Sequence, residues 1–499
     1  MASLQDKKVI IVGGAVAGLS TSLHLARAGV DVTVLDYQPY EENGYAPSKG
    51  CDAPSADVNK VFRCWCEYFA SRLLFILITA SVDGKETEYQ HLAFAAREEW
   101  FQWNKDIAAT PAEDLPPSLT PNTQLLYLSG VLRLPSTESS PLSKFDLDSL
   151  ATLTPEQKRH AHILSEGGDL GGESRRVRAV NWNGDGILDL NGGFTRADKA
   201  CAYAKYLAGK AGVKFILGPE KGKVVEIIKE DKDGEKKATG VKTKDSVVHT
   251  GDLIIVAAGG WTPSLLPETA DRLETTAGSV LLYQFPPKEQ EPELWSKYSP
   301  ENFLVWAWGL NGASPIGNVY GFPITEDGLF KVGYRGLKYT NFADHPSEPG
   351  LRISVPKTKY TEIKETRVPL VAVELIKDTL GKLFPDIAEK ATVASTRLCW
   401  YCDSLDNNFL IDYVPGYSKS LFVVSGGSGH MFKFLPNLGE KVIDVLLERE
   451  NEYTKLWKWP QPDKERIPWI EKTNGLQEGE LGPRVLRKVV LAEEVDLTI

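Results

Sequence analysis

The sequence predicts an α/β plus antiparallel β fold. A Rossmann-like dinucleotide-binding domain is assembled from separated segments and sits beside a mainly antiparallel-sheet substrate domain. Three observations carry this. The chain opens on "KKVIIVGGAVAGLSTSLHLARAGVDVTVLD", a strand, a glycine turn, a helix and a second strand. Far downstream, "GDLIIVAAGGWTPSLLPE" (Gly251 to Glu268) is another apolar strand that ends on glycines. The stretch 277–391 is rich in aromatic and β-branched residues punctuated by Gly and Pro, the pattern of antiparallel strands.

The first unit follows from local chemistry. Lys8 to Val12 is a short β-branched run, which favours a strand. Leu19, Leu23, Leu25 and Ala26 form a helical stripe that Gly29 ends. Val32 to Leu35 is a second strand closing on Asp36. The whole is a βαβ unit. Between strand and helix lie Gly13, Ala15, Val16, Ala17 and Gly18. N–H groups at a helix N-terminus bind a pyrophosphate, and small residues let it approach. Ala15 stands where the pattern usually has its middle glycine. Asp36, about 20 residues on, suits the ribose hydroxyls and argues against a 2′-phosphate.

Later elements choose between two dinucleotides. "KAGVKFILG" reads as a strand, and residues 223–252 read as a β-meander with charged turns. A single N-terminal fingerprint with a late strand–glycine return is the layout of FAD-binding domains. The alternative is a second Rossmann half for NAD. Val225 in the meander and Gly259 after the late strand are expected cofactor contacts. "NVYGFPITEDGLFKVGYRG" reads as a hairpin, Val319 to Pro323 pairing with Leu329 to Tyr334.

Composition bounds the rest. The 499 residues are 42% hydrophobic and 25% charged, ordinary for a globular enzyme. A net charge of −10 disfavours nucleic acid and anionic membranes as partners. Six cysteines in this length are no disulfide framework, and no metal site is expected. Cys399 and Cys402, in "TRLCWYCDSLDNNFLID", could be a redox dithiol, half a zinc site or two buried small hydrophobes. Taken alone, Cys399 reads as a buried free cysteine. "CWCEYFASRLLFILITA" is the most apolar run, but Glu67 and Arg72 interrupt it. Its uninterrupted part falls short of the ~20 residues a membrane span needs. The N-terminus lacks the shape of a cleavable signal, and the final tripeptide is not of the Ser-Lys-Leu type. The expected compartment is the cytosol, with the peroxisome as the alternative.

Several stretches together resemble one family. They are "VGGAVAGLS", "DVNKVFR" (Asp57 to Arg63), "AAGGWTPSL", Tyr320 to Tyr334, "CWYCDSLDNNFLID" and "GGSGHMFKFLPNLGE" (Gly426 to Glu440). The likeness is to the covalent-flavin amine oxidases: monomeric sarcosine oxidase, the fungal fructosyl-amino-acid oxidases (amadoriases) and saccharopine or pipecolate oxidases. It runs from about residue 7 to 460. It implies FAD held through a thioether from Cys399, with Cys402 incidental. It implies Lys331 beside the flavin for oxygen activation, and Lys433 and Arg63 on a substrate carboxylate. Lys60 lies at the flavin face, and Tyr320 closes the pocket. Gly427, Gly429 and His430 neutralise the flavin edge. Lys60 and Arg63 would share a face if helical. Trp261 and Trp400 read as ring-packing or core aromatics.

The expected activity is oxidation of a secondary amine or N-substituted amino acid. A hydride passes to FAD, the imine hydrolyses, and O2 reoxidises the flavin to give H2O2. Two alternatives keep the flavin: a biosynthetic enzyme that traps the oxidised amine to form a C–C bond, and an inactive flavin-binding homologue. A monomer is expected. Residues 331, 333 and 335 share a strand face, so Arg335 should lie beside Lys331. By resemblance, the deglycating oxidases hold a glutamate there. An arginine inverts the charge, which predicts poor use of fructosyl-amines. It favours an amine with an extra anion or an aromatic hydroxyl.

The expected FAD-binding domain comprises 7–95, 150–275 and 396–455. The substrate domain comprises 96–149 and 276–395, and 456–499 is a C-terminal extension. Segment 64–82 has no counterpart in the resembled family. It reads as an atypical insert, such as an unspliced intron, that should disturb Arg63.

Overall fold

A computed structural model describes residues 2–64, 87–164, 174–232, 234–309, 317–358, 361–404, 406–459, 480 and 482–498. Most of the suspected insert, 65–82, lies outside the described residues.

Two sheets organise the chain. The first has six strands in the order Leu410–Tyr413, Leu421–Ser425, Leu253–Val256, Lys8–Val12, Asp31–Asp36, Lys214–Leu217. All its pairs are parallel except the first. Its central strands are apolar runs because both faces are covered. Val9 and Ile11 join a core with Leu19, Leu23 and Leu25 of helix Val16–Arg27. Ile10 and Val12 point the other way and pack with Ile227 and Val241 of the meander. That meander is a three-stranded sheet of Val224–Lys232, Glu235–Thr243 and Val248–Thr250.

The second sheet has eight strands: Thr392–Ser404, Leu273–Gln284, Leu329–Tyr339, Val319–Gly321, Val305–Trp308, Val131–Leu134, Ile187–Asp189, Ala161–Ile163. Every pair is antiparallel except Val305–Trp308 with Val131–Leu134. Helix Leu370–Leu383 buries Ala372, Val373 and Ile376 against its core. The C-terminal residues clasp the same unit. Thr340 N–H donates to the Arg484 carbonyl at 3.0 Å, and Leu370 N–H to the Val490 carbonyl at 2.9 Å.

Sheet membership departs from the expected boundaries in three places. Strands Ala161–Ile163, Ile187–Asp189 and Thr392–Ser404 belong to the larger sheet, whereas 150–275 took in the first two, and 396–455 all but the first four residues of the third, with the FAD-binding segments. Helix Glu88–Ala109 crosses the expected boundary at 95, yet Tyr89, Leu92, Trp100 and Trp103 all pack in the parallel-sheet core. Local periodicity identifies a strand but not its partner. Among the described residues, no helix is long and apolar enough to cross a membrane.

Candidate active site

A cavity of about 610 Å³ is lined by residues of both sheets. Of the expected cofactor and catalytic residues, Gly18 alone does not line it.

One end is the glycine turn. Gly13 has φ +114°, and a Cβ there would stand 2.3 Å from the Ala257 carbonyl oxygen. A Cβ on Gly18 would stand 1.8 Å from the Gly13 carbonyl oxygen. Both contacts are with backbone, which cannot yield cheaply, so strand, helix and late strand close up only with glycine. Gly18 thus supports the turn from behind. Ala15, Val16 and Ala17 line the cavity, and the helix has no side-chain cap. Asp36 accepts from Gly14 N–H at 2.6 Å, from Gln38 N–H at 2.9 Å and from the Tyr40 hydroxyl at 3.2 Å. Burial pushes its carboxyl up to about 6 against those hydrogen bonds. Val225 and Gly259 line the cavity. Trp261 also faces it, with its ring 5.4 Å from that of Tyr37.

The other end is charged. Strand Leu329–Tyr339 brings Lys331 and Arg335 to the cavity. The Tyr320 ring lies over Gly333, where a Cβ would meet it at 2.4 Å. Arg335 donates to the Ser428 carbonyl at 3.3 Å and packs against Gly429. Burial lowers the Lys331 amine to about 8, with Asp57 opposing and Lys60 reinforcing. Lys433 is buried on the short turn Met431–Phe434. His430 lies 4.8 Å from the Phe409 ring and meets the Asn407 carbonyl through Nε2 at 2.9 Å. That contact assigns the proton to Nε2. Arg63 lines the cavity.

Lys60 and Arg63 do not share a helix. Lys60–Phe62 is a strand paired with Gly193–Thr195. Val61 and Phe62 favour extended backbone, and a three-residue spacing cannot reveal this. Lys60 reaches the cavity nevertheless.

Cys399 and Cys402 have opposite surroundings. Cys399 Sγ lies 3.6 Å from an Arg397 nitrogen and 4.0 Å from Lys60 Nζ. Burial raises its thiol, but the two cations outweigh burial and lower it. Burial pushes the Cys402 thiol up to about 12. All described cysteines are unpaired, and no group of acids, cysteines and histidines among the described residues could hold a metal. Trp400 is a core residue, its indole N–H donating to the Lys357 carbonyl at 2.9 Å.

Sequence reasoning assigned no role to Asp57, Arg397, Tyr401 or Asp52. Asp57 lies inside a quoted motif, and a buried lysine needs a counter-ion. That was the available signal. Tyr401 is two residues from Cys399 on one strand face; its hydroxyl lies 2.1 Å from where a Gly278 Cβ would be. Asp52 accepts from the Thr358 hydroxyl at 2.6 Å, a partner over 300 residues away in sequence that no pattern could supply.

A model of the FAD dependent oxidoreductases matches residues 8–445. The chain belongs to that family. FAD is thus its cofactor, and the glycine cradle facing a cavity shared with Cys399 fits it. The L-saccharopine oxidase of Schizosaccharomyces pombe is 27% identical over 284 residues, 56% of this chain and 61% of that protein. The amino acid oxidase imqH of Aspergillus flavus is 44% identical over 267 residues, 46% of this chain and 52% of that protein. The chain thus spans between half and two thirds of these relatives. Amadoriase I from Aspergillus fumigatus, a fructosyl amine:oxygen oxidoreductase, superposes with TM-score 0.71 at 24% identity, covering 97% of this chain and 96% of that one. That likeness concerns the fold alone.

Proposed function

We propose that this FAD dependent oxidoreductase is an oxidase of secondary amines, specifically of N-substituted amino acids, with FAD attached through Cys399. The observation that carries this is the Cys399 thiol held between Arg397 and Lys60 in the cavity that also holds the glycine turn. Cations lower a thiol's pKa and favour the reactive thiolate. A structural cysteine would lack them, as Cys402 does.

Bound FAD supplies the two-electron oxidation of the carbon–nitrogen bond. The chain's residues position and protect. Arg63, Lys433 and Arg335 give the cavity three cations that suit carboxylates, the two arginines in bidentate fashion. Lys331 holds a positive charge where negative charge develops during reaction with O2. Tyr320 and Phe322 wall the site. Arg335 against Gly429 favours a substrate with an extra anion over a neutral sugar.

Anaerobic mixing with secondary amino acids tests this. N-substituted amino acids should bleach the flavin, and fructosyl-valine should do so poorly. Efficient turnover of fructosyl-valine would remove the Arg335 argument. No bleaching across many secondary amines would favour an inactive flavin-binding protein.

A further inference from the structure

Asp57 joins two groups with separate tasks. Its Oδ2 accepts from Lys331 Nζ at 2.5 Å and from Lys60 Nζ at 2.8 Å. Its Oδ1 accepts from Val58 N–H at 2.9 Å. Lys331 Nζ also donates to the Asn59 carbonyl at 2.7 Å and lies 4.9 Å from the Phe322 ring centroid. Lys60 Nζ is the ammonium beside Cys399 Sγ. Asp57 and Lys331 are buried, and Lys60 is largely so.

Two ammonium groups on one oxygen repel each other, and a buried ammonium tends to lose its proton. A carboxylate between them offsets both effects. We propose that Asp57 is a positioning residue that holds Lys331 and Lys60 together as cations at the cavity wall, so that the charge of Lys331 depends on both neighbours. This rests on the reading of Lys331 as the oxygen-reactive group. Among the described residues, the charges acting most on Lys331 are those of Asp57, Lys60 and Cys399. Lys60 faces Asp57, Cys399, Arg397 and Tyr320. Arg397 faces Asp57 as well.

The signs are fixed by charge. Asp57→Asn keeps the shape and removes a negative neighbour, so the Lys331 midpoint should fall by roughly one to three pH units. Lys60→Met removes a like charge, so the midpoint should rise. Loosening alone would admit water and raise the midpoint in both variants.

The test is a ¹³C-lysine NMR titration of purified holoenzyme, with the Lys331 signal assigned by Lys331→Arg. Opposite displacements support the proposal. Displacements of one sign, or none in either variant, overturn it. Should Asp57→Asn fail to fold, Asp57→Ser takes its place beside Lys60→Met: a fall in the first with a rise in the second supports, and a rise or no change in Asp57→Ser overturns. A second readout is reoxidation of amine-reduced enzyme, in which two electrons and two protons pass to O2 to give H2O2. Its rate should drop as pH rises through the Lys331 midpoint of each variant. If amines do not reduce the wild-type enzyme, the oxidase reading fails, and the NMR titration still decides the role of Asp57.

Discussion

At the glycine-turn end, the cavity wall is backbone and small side chains. At the Cys399 end, it is a set of buried charges. The first wall comes from one unbroken βαβ unit, Lys8 to Asp36. The second comes from strands as far apart in sequence as Lys60–Phe62 and Thr392–Ser404. Binding a pyrophosphate needs close backbone approach, which a short segment can supply alone. Moving electrons needs charges held dry in fixed places, and only a complete fold can pay the desolvation cost of gathering them. The two ends should therefore fail differently when altered.

The largest effect is expected at the charged end. Lys331→Met should slow reoxidation by O2 about 10²–10³-fold, the usual loss when a preorganised charge is removed. Amine-driven reduction should change only a few-fold, and stopped-flow traces separate the two steps. Equal losses in both would show that Lys331 does not act on the oxygen step.

Gly18→Ala should instead leave the charged end intact and lower FAD content. Its Cβ would enter the Gly13 carbonyl, and such overpacking costs about 1–3 kcal/mol. Ala15→Gly, which removes a methyl from the cavity wall, should leave FAD content nearly unchanged. Flavin absorbance per protein in the two variants checks this.

Arg335→Glu should raise KM for a dicarboxylic N-substituted amino acid by roughly ten- to a hundredfold, the worth of a charged hydrogen bond. Use of fructosyl-valine should improve. Unchanged KM values would place Arg335 outside substrate recognition.

The smallest effect is a pH slope. Asp36 is raised from 3.8 to about 6. A carboxyl raised in the fold stabilises below its unfolded pKa, and that contribution is lost as pH rises through the folded one. Between about pH 4 and 6, FAD-free protein with Asp36→Asn should lack a loss of up to about 3 kcal/mol that the wild-type chain shows. Denaturant titrations across that window measure it.

The ends also differ in how far the sequence reveals them. The glycine turn, its acid and both flanking strands could be read because each signal lies within a few residues of the next. The meander and the hairpin were legible for the same reason. Lys331, Arg335, Lys433 and Cys399 could be singled out by resemblance, and the fold does bring them to one cavity. Their joining was not legible. Asp57 bridges Lys331 across 274 residues, and no period or spacing encodes that. Lys60 and Arg63 show the converse limit, since a three-residue separation suits a helix as well as a strand. The membership of Thr392–Ser404 in the larger sheet depends on twelve cross-strand partners in Leu273–Gln284, again a matter of the whole fold.

The central claim is that Cys399, and not Cys402, is the cofactor's anchor. Acid precipitation of purified protein tests it most directly. Wild-type and Cys402→Ala protein should give yellow pellets, and Cys399→Ala should release its flavin to the supernatant. Flavin in the wild-type supernatant, or a pellet that stays yellow in Cys399→Ala, would contradict the account.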